Sequence, residues 1–227
     1  INAPDVNIIT IEDPIEYQIS GVSQIEVNEK KGLTFARGLR SLVRQDPDII
    51  LVGEIRDLET AQIAVQASLT GHLVFSTLHT NDAPSSILRL LDLGMESFLL
   101  TATIEAIVAQ RLVRRICLNC KEEYVPTDEE LMELKLKRED VEGRTFFRGR
   151  GCESCNHSGF RGRRALFEIM PMDDKLRELV MEQASTNVLR EEARRRGMRT
   201  LREAGLLAIF EGQTTIDEVV RETITEE

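Results

Sequence analysis

The chain has 227 residues, 41% of them apolar and 30% charged, with a formal net charge of −10. That balance suits a soluble globular protein of one compound domain or two smaller ones, and it excludes a disordered chain. The acidic charge argues against a protein whose main task is to grip nucleic-acid phosphates. No apolar stretch approaches the length of a membrane span, and the first residues lack a basic region followed by an apolar core, so the chain is expected to be neither inserted nor exported.

In chain order, three apolar runs at residues 6–11, 49–52 and 73–78 are continuous rather than alternating, the pattern of strands buried on both faces of a parallel sheet. Between them Phe35, Leu39, Leu42 and Val43 keep helical spacing. A second helix is expected from just after Asp57 to about Gly71, a third from Asn81 or Asp82 to Gly94, and a longer one over residues 97–114. Strand and helix alternate, so the class is α/β. From residue 116 to about 167 the texture changes to cysteines, glycines and arginines, with one short helix signalled by Thr127 and Glu130 three residues on. From Asp173 the pattern is helical to the end, with Gly197 and Gly212 as terminators and Thr215 with Glu218 as a further capping box. The expected organisation is therefore an α/β core over 1–115, an inserted cysteine module over 116–167 and a helical C-terminal subdomain over 168–227.

Ligands of open parallel sheets bind beyond the carboxyl ends of the strands, and all three runs end in polar residues. The first ends in Glu12, Asp13 and, after Pro14, Glu16; the second in Gly53-Glu54; the third in His79-Thr80-Asn81-Asp82. Glu54 has the placing of a carboxylate that orients or deprotonates water beside a nucleotide's γ-phosphate, though the run alone fits a helix cap or a partner of Arg56 equally well. Glu12, Asp13 and Glu16 together suit a magnesium ion, or a solvated turn enforced by Pro14. His79 could donate to a γ-phosphate; His72, at the start of its strand, is the weaker candidate.

Cys117-x-x-Cys120 and Cys152-x-x-Cys155 are two identical knuckles, each able to place two thiolates on one side of a tetrahedral ion. Four thiolates close the coordination sphere, so Zn2+ is expected there in a structural role, against the alternative of redox dithiols. His157, beside Cys155, could replace one of those ligands but fits better in the surroundings of the site or in solvent. Arginines cluster at Arg111, Arg114 and Arg115 and at Arg148, Arg150, Arg161, Arg163 and Arg164, which leaves a zinc-ribbon nucleic-acid-binding module as the competing reading; 4% aromatic content and the acidic net charge count against it.

Taken together, residues 9–16 (ITIEDPIE), Arg44-Gln45-Asp46-Pro47-Asp48 leading to residues 51–57 (LVGEIRD), Gly71-His72 and residues 76–81 (STLHTN) resemble the bacterial type II secretion and type IV pilus assembly ATPases, in the order of that family's aspartate box, Walker B and histidine box. Thr70, the segment Gln110-Arg111-Leu112 and residues 211–215 extend the resemblance over essentially the whole chain. It implies the distal part of a RecA-like ATPase domain, in a homo-hexamer that hydrolyses ATP with Mg2+ and is cytoplasmic and peripheral to the inner membrane. Its partners would be inner-membrane platform and assembly proteins, and no nucleic acid is implied. It implies Glu54 as catalytic glutamate, Glu16 as aspartate-box glutamate, His72 and His79 as the histidine-box pair, and Glu12, Asp13, Glu54 and His79 around the nucleotide and its cation. It also implies arginines near nucleotide or a neighbouring subunit on the helix before Walker B, where Arg37, Arg40 and Arg44 lie, without choosing among them; a solvated helix face accounts for Arg37 equally well. The four cysteines match the family's assembly branch rather than its retraction motors. No Gly-x-x-x-x-Gly-Lys-Ser/Thr loop occurs in the sequence, so the phosphate-binding loop is expected upstream, in a longer parent protein.

Overall fold

The computed structural model describes residues 1–223. They fall into two compact units. The first, Ile1–Thr80 with Pro84–Glu105 and Pro171–Leu189, is built on a four-stranded sheet. Its strands are β1 (Ile8–Glu12), β2 (Val22–Glu26), β3 (Ile49–Val52) and β4 (Leu73–Ser76), ordered β2-β1-β3-β4 and parallel throughout. The inner strands meet the expectation from their apolar runs: Ile8, Ile9, Ile11, Ile49, Ile50 and Val52 are all buried. β4 does not. Leu73 and Phe75 are 47% and 44% exposed, because β4 is the sheet's edge and, among the described residues, pairs only with β3.

The helix α1 (Phe35–Leu42) starts at Thr34, whose hydroxyl accepts the Arg37 N–H, and buries Phe35, Ala36, Leu39 and Leu42; of these Phe35, Leu39 and Leu42 join the cluster of Ile9, Ile11, Ile50 and Val52. Gly38 sets its distance from the sheet: a Cβ there would lie 2.1 Å from Ile11 Cδ1. In α2 (Leu58–Leu69) the Asp57 carboxylate caps the first turn through the Thr60 N–H at 2.8 Å. After α3 (Ala83–Asp92), Gly94 turns the chain with φ of 101°.

The long helix expected over 97–114 is corrected by the structure. α4 covers Ser97–Thr103, Ile104 is extended, and β5 runs Ala106–Ile116. Burial alternates from Ile107 to Val113 with period two, and Ile107, Val108, Val113 and Ile116 are β-branched, so the strand suits them better than a helix. α6 (Asp174–Met181) completes the elements confined to this unit.

The second unit holds Asn81–Ala83, Ala106–Met170 and the residues from Arg190 on. β5 pairs with β8 (Phe160–Pro171), and β6 (Lys121–Tyr124) pairs antiparallel with β7 (Phe146–Gly149). Helix α5 (Asp128–Glu133) carries the expected capping box of Thr127 and Glu130. Of the later helices, α7 (Thr186–Arg195) has residues in both units, while α8 (Leu201–Phe210) and α9 (Ile216–Glu222) lie in this one. The grouping is not serial: Leu131, Leu134, Val141 and Phe146 of the cysteine-bearing segment share a core with Ile209, Ile216 and Val219.

Two buried carboxylates organise this unit. Glu218, 1% exposed, accepts from the Arg114 backbone N–H at 3.0 Å and the Arg114 guanidinium at 2.6 Å. Burial pushes its carboxyl up, and the two bonds from Arg114 more than offset this, leaving it below the usual range. That engagement corrects the expected Thr215–Glu218 box: the Thr215 hydroxyl accepts the Glu218 N–H, but the Glu218 side chain is committed elsewhere. Glu168, 2% exposed, accepts the N–H groups of Ala83 at 2.7 Å and Leu201 at 3.2 Å, and burial raises its carboxyl.

Candidate functional site

Glu54 follows β3 by two residues, at the carboxyl end of the sheet, and is 9% exposed. Gly53 draws this tip against β1. Its N–H donates to the Ile11 carbonyl at 2.8 Å, and a Cβ would stand 3.1 Å from that oxygen and 3.3 Å from Glu12 Cα. The tip of β3 is also tied to the chain after β4: the Thr77 hydroxyl donates to the Gly53 carbonyl at 2.6 Å, and the Ile55 N–H to the Thr77 carbonyl at 3.0 Å. This brings His79, with its side chain 84% exposed, to Glu54, its Nε2 lying 2.7 Å from Oε2. The other carboxylate oxygen accepts from the Arg56 guanidinium.

That bond from Arg56 is the largest influence on Glu54 and lowers its carboxyl; burial works against it, and the His79 contact adds to the lowering. Glu54 is therefore a carboxylate at neutral pH. Because Asp57 caps α2, Glu54 has no capping duty, and the two open readings narrow to a carboxylate that pairs with Arg56 and still faces His79.

The other candidates lie as follows. Asp13 reaches Arg56 at 3.7 Å. Glu12 accepts from the Thr10 hydroxyl and from the Gln24 amide at 2.9 Å, so it is held in the sheet. Glu16 is exposed in the loop between β1 and β2. His72 sits at the amino end of β4, its Nδ1 2.8 Å from the Ala67 carbonyl and 3.1 Å from the Thr70 hydroxyl, so the structure does not bring it to His79. On α1 and just beyond it, Arg40 pairs with Glu59, Arg37 donates to the Gly32 carbonyl at 3.1 Å and Arg44 to the Arg40 carbonyl at 3.3 Å.

Among the described residues, the metal-ligating side chains that converge are the four cysteines, with all their sulfurs within 4.8 Å of one another and no disulfide. Cys117–Cys152 and Cys120–Cys155 are 3.9 Å apart and Cys152–Cys155 3.7 Å. Thiolates about 2.3 Å from one tetrahedral ion stand about 3.8 Å from each other, so the sulfurs fit a metal. Backbone N–H groups of Gly151 and Cys152 point at Cys120 and Cys155, at 3.3 Å and 3.2 Å. Burial pushes Cys155 up, but the donors around it prevail and hold it at about 6; Cys120 is pushed up to about 11, chiefly by burial. His157 lies outside the cluster and supports it through its backbone, whose N–H donates to the Cys152 carbonyl at 2.9 Å.

Sequence reasoning missed the Thr77 hydroxyl on Gly53 and the Ser154 hydroxyl beside two of the sulfurs. The serine inside the second knuckle was the available signal for the latter.

The profile of the family described as "Type II/IV secretion system protein" matches residues 1–221. "Type IV pilus assembly ATPase PilB" of Thermus thermophilus is 50% identical over 224 residues, 99% of this chain and 25% of that protein. "Type II secretion system protein E" of Xanthomonas campestris is 50% identical over 223 residues, 98% of this chain and 39% of that protein. The solved structure "Crystal Structure of the Pilus Retraction Motor PilT and Bound ADP" matches with a TM-score of 0.68 at 29% identity, over 97% of this chain and 53% of that one. The chain thus spans well under half the length of these two relatives. With a parallel α/β sheet, a carboxylate at its strand tips and this match over nearly every residue, the chain belongs to the Type II/IV secretion system protein family.

Proposed function

We propose that this chain is the distal part of an ATP-hydrolysing motor that drives assembly of type IV pilus or type II secretion pseudopilus subunits, with Glu54 as its hydrolytic base. The observation that carries this reading is the Glu54 carboxylate, buried at the strand tip yet kept ionised by Arg56 and His79. A base in that state takes a proton from water at its carboxylate oxygen, and His79 Nε2, already 2.7 Å away, steadies the charge. Asp13 shares Arg56 with Glu54, so the aspartate-box loop and the strand tip respond to one guanidinium. Glu16 and His72 act in this reading as the resemblance assigns them, although neither lies against Glu54 here.

Asp13 and Glu54 are the carboxylates that would face a nucleotide-bound Mg2+, which would supply charge screening at the phosphates; a protein cage is not needed for an ion that keeps most of its waters. The phosphate-binding loop belongs to a longer parent, a homo-hexamer of RecA-like domains working with platform and assembly proteins at the cytoplasmic face of the inner membrane. The exposed apolar edge of β4 is where further chain would complete the sheet. Zn2+ at Cys117, Cys120, Cys152 and Cys155 would be structural, since four thiolates leave no open position.

The test is Glu54→Gln in the longer protein. ATP hydrolysis is expected to fall by about 10²- to 10⁴-fold, the usual worth of a positioned base, with nucleotide affinity nearly unchanged. Retained turnover would remove Glu54 from this role.

A further inference from the structure

The four sulfurs are not equivalent. Cys117, Cys120 and Cys155 are buried and Cys152 is half-buried, so solvent reaches the cluster at Cys152. At that corner the Ser154 hydroxyl lies 3.0 Å from Cys152 Sγ and 3.7 Å from Cys117 Sγ, one sulfur from each knuckle. The hydroxyl is held in turn by the first knuckle, because Asn119 Nδ2 donates to Ser154 Oγ at 3.0 Å. A hydroxyl has one proton and two acceptor lone pairs. With the Asn119 amide on a lone pair, its proton is left for sulfur. Cys120 and Cys155 receive the backbone N–H groups of Gly151 and Cys152, and Cys117 that of Asn119 besides the hydroxyl; side-chain exchange leaves these backbone donors in place.

We propose that Ser154, steadied by Asn119, is a positioning residue of the tetrathiolate centre, joining the two knuckles and slowing metal loss at the solvent-facing corner. The inference rests on the zinc reading above. Loss of a thiolate-bound ion begins with displacement of the most accessible sulfur, here Cys152. A hydrogen bond donated to that sulfur holds it in place against displacement. The same hydroxyl beside Cys117 keeps the knuckles in register while one sulfur lets go. Partners of this kind around metal ligands typically change affinity by about 10- to 100-fold when removed.

Ser158 supplies an internal control. Its hydroxyl lies within donating distance of the carbonyls of Cys155 at 2.6 Å and Phe160 at 3.1 Å and, among the described residues, is bonded to no cysteine sulfur. The experiment measures bound zinc per chain, and then its release to a chromophoric chelator, in the wild type, Ser154→Ala, Ser154→Thr, Asn119→Ala and Ser158→Ala. Ser154→Ala is expected to release zinc about 10-fold faster. Ser154→Thr, which keeps the hydroxyl, should stay near wild type, as should Ser158→Ala, and Asn119→Ala should show a smaller acceleration. With Co2+ in place of zinc, the sulfur-to-metal charge-transfer bands should move to lower energy in Ser154→Ala alone among the serine variants. Wild-type release and unshifted bands in Ser154→Ala would overturn the proposal, as would equal acceleration in Ser158→Ala, which would mean local packing. If Ser154→Ala holds no metal at all, Asn119→Ala decides, and its release at the wild-type rate overturns the proposal. Wild-type protein without zinc would instead overturn the metal reading on which it rests.

Discussion

Glu54 and the four cysteines are assembled in different ways. The carboxylate draws on scattered stretches: Gly53 on the Ile11 carbonyl, Thr77 on Gly53, Arg56 from the following turn and His79 from beyond β4. The thiolates come from two short turns, and every sulfur needed is present. One site, on the function proposed above, is a charged group held ready for a reactant. The other is a closed set of ligands. Damage to the closed set should therefore spread through folding, whereas damage around the carboxylate should stay with chemistry.

The largest effect expected from this contrast is on removing zinc. Binding by four cysteines is worth on the order of 10 kcal/mol of local folding free energy. Chelation, or Cys117→Ser, should therefore abolish most amide-exchange protection over about residues 116–160 while β1 and β3 remain protected. Collapse of protection in β1 and β3 on the same time course would show that the two regions fold as one.

The smallest concerns the two histidines. His79→Ala removes a group in contact with Glu54 and should lower hydrolysis in the longer protein. His72→Ala removes a ring bonded to the Ala67 carbonyl at the end of α2, and should cost about 1 kcal/mol of stability, one hydrogen bond's worth. Equal losses of hydrolysis in both variants, measured at saturating ATP, would sharpen the account by showing that the working site also draws on the amino end of β4.

The inner strands, the helix starts at Asp57 and Thr127 and the pairing of the two cysteine knuckles were legible because each is decided by neighbours in sequence: continuous apolar runs, caps and spacing. The segment 106–116 was not. Its apolar residues satisfy a helical period almost as well as a strand's, and only pairing with β8, over forty residues on, decides between them. β4 shows the converse, since its run reads as buried but its exposure depends on what lies beside it. At the site, the residue types at the strand tips were readable. Their placement was not: Glu16 is exposed in the loop after β1 and His72 lies at the amino end of β4 on the Ala67 carbonyl, a matter of loop path and strand direction.

The most direct test of Glu54 as an ionised base is the pH dependence of kcat/KM for ATP hydrolysis by the longer protein, wild type against Arg56→Ala. A lowered carboxyl is charged above its folded-state pKa and loses that charge as pH falls through it. The wild-type acid limb should therefore lie below the ordinary 4.5. Removing Arg56 takes away the largest lowering influence and leaves burial to push upward, so the limb of the variant should move to higher pH, with far-UV circular dichroism confirming that the fold persists. An acid limb in the usual histidine range, unmoved by Arg56→Ala, would contradict the account.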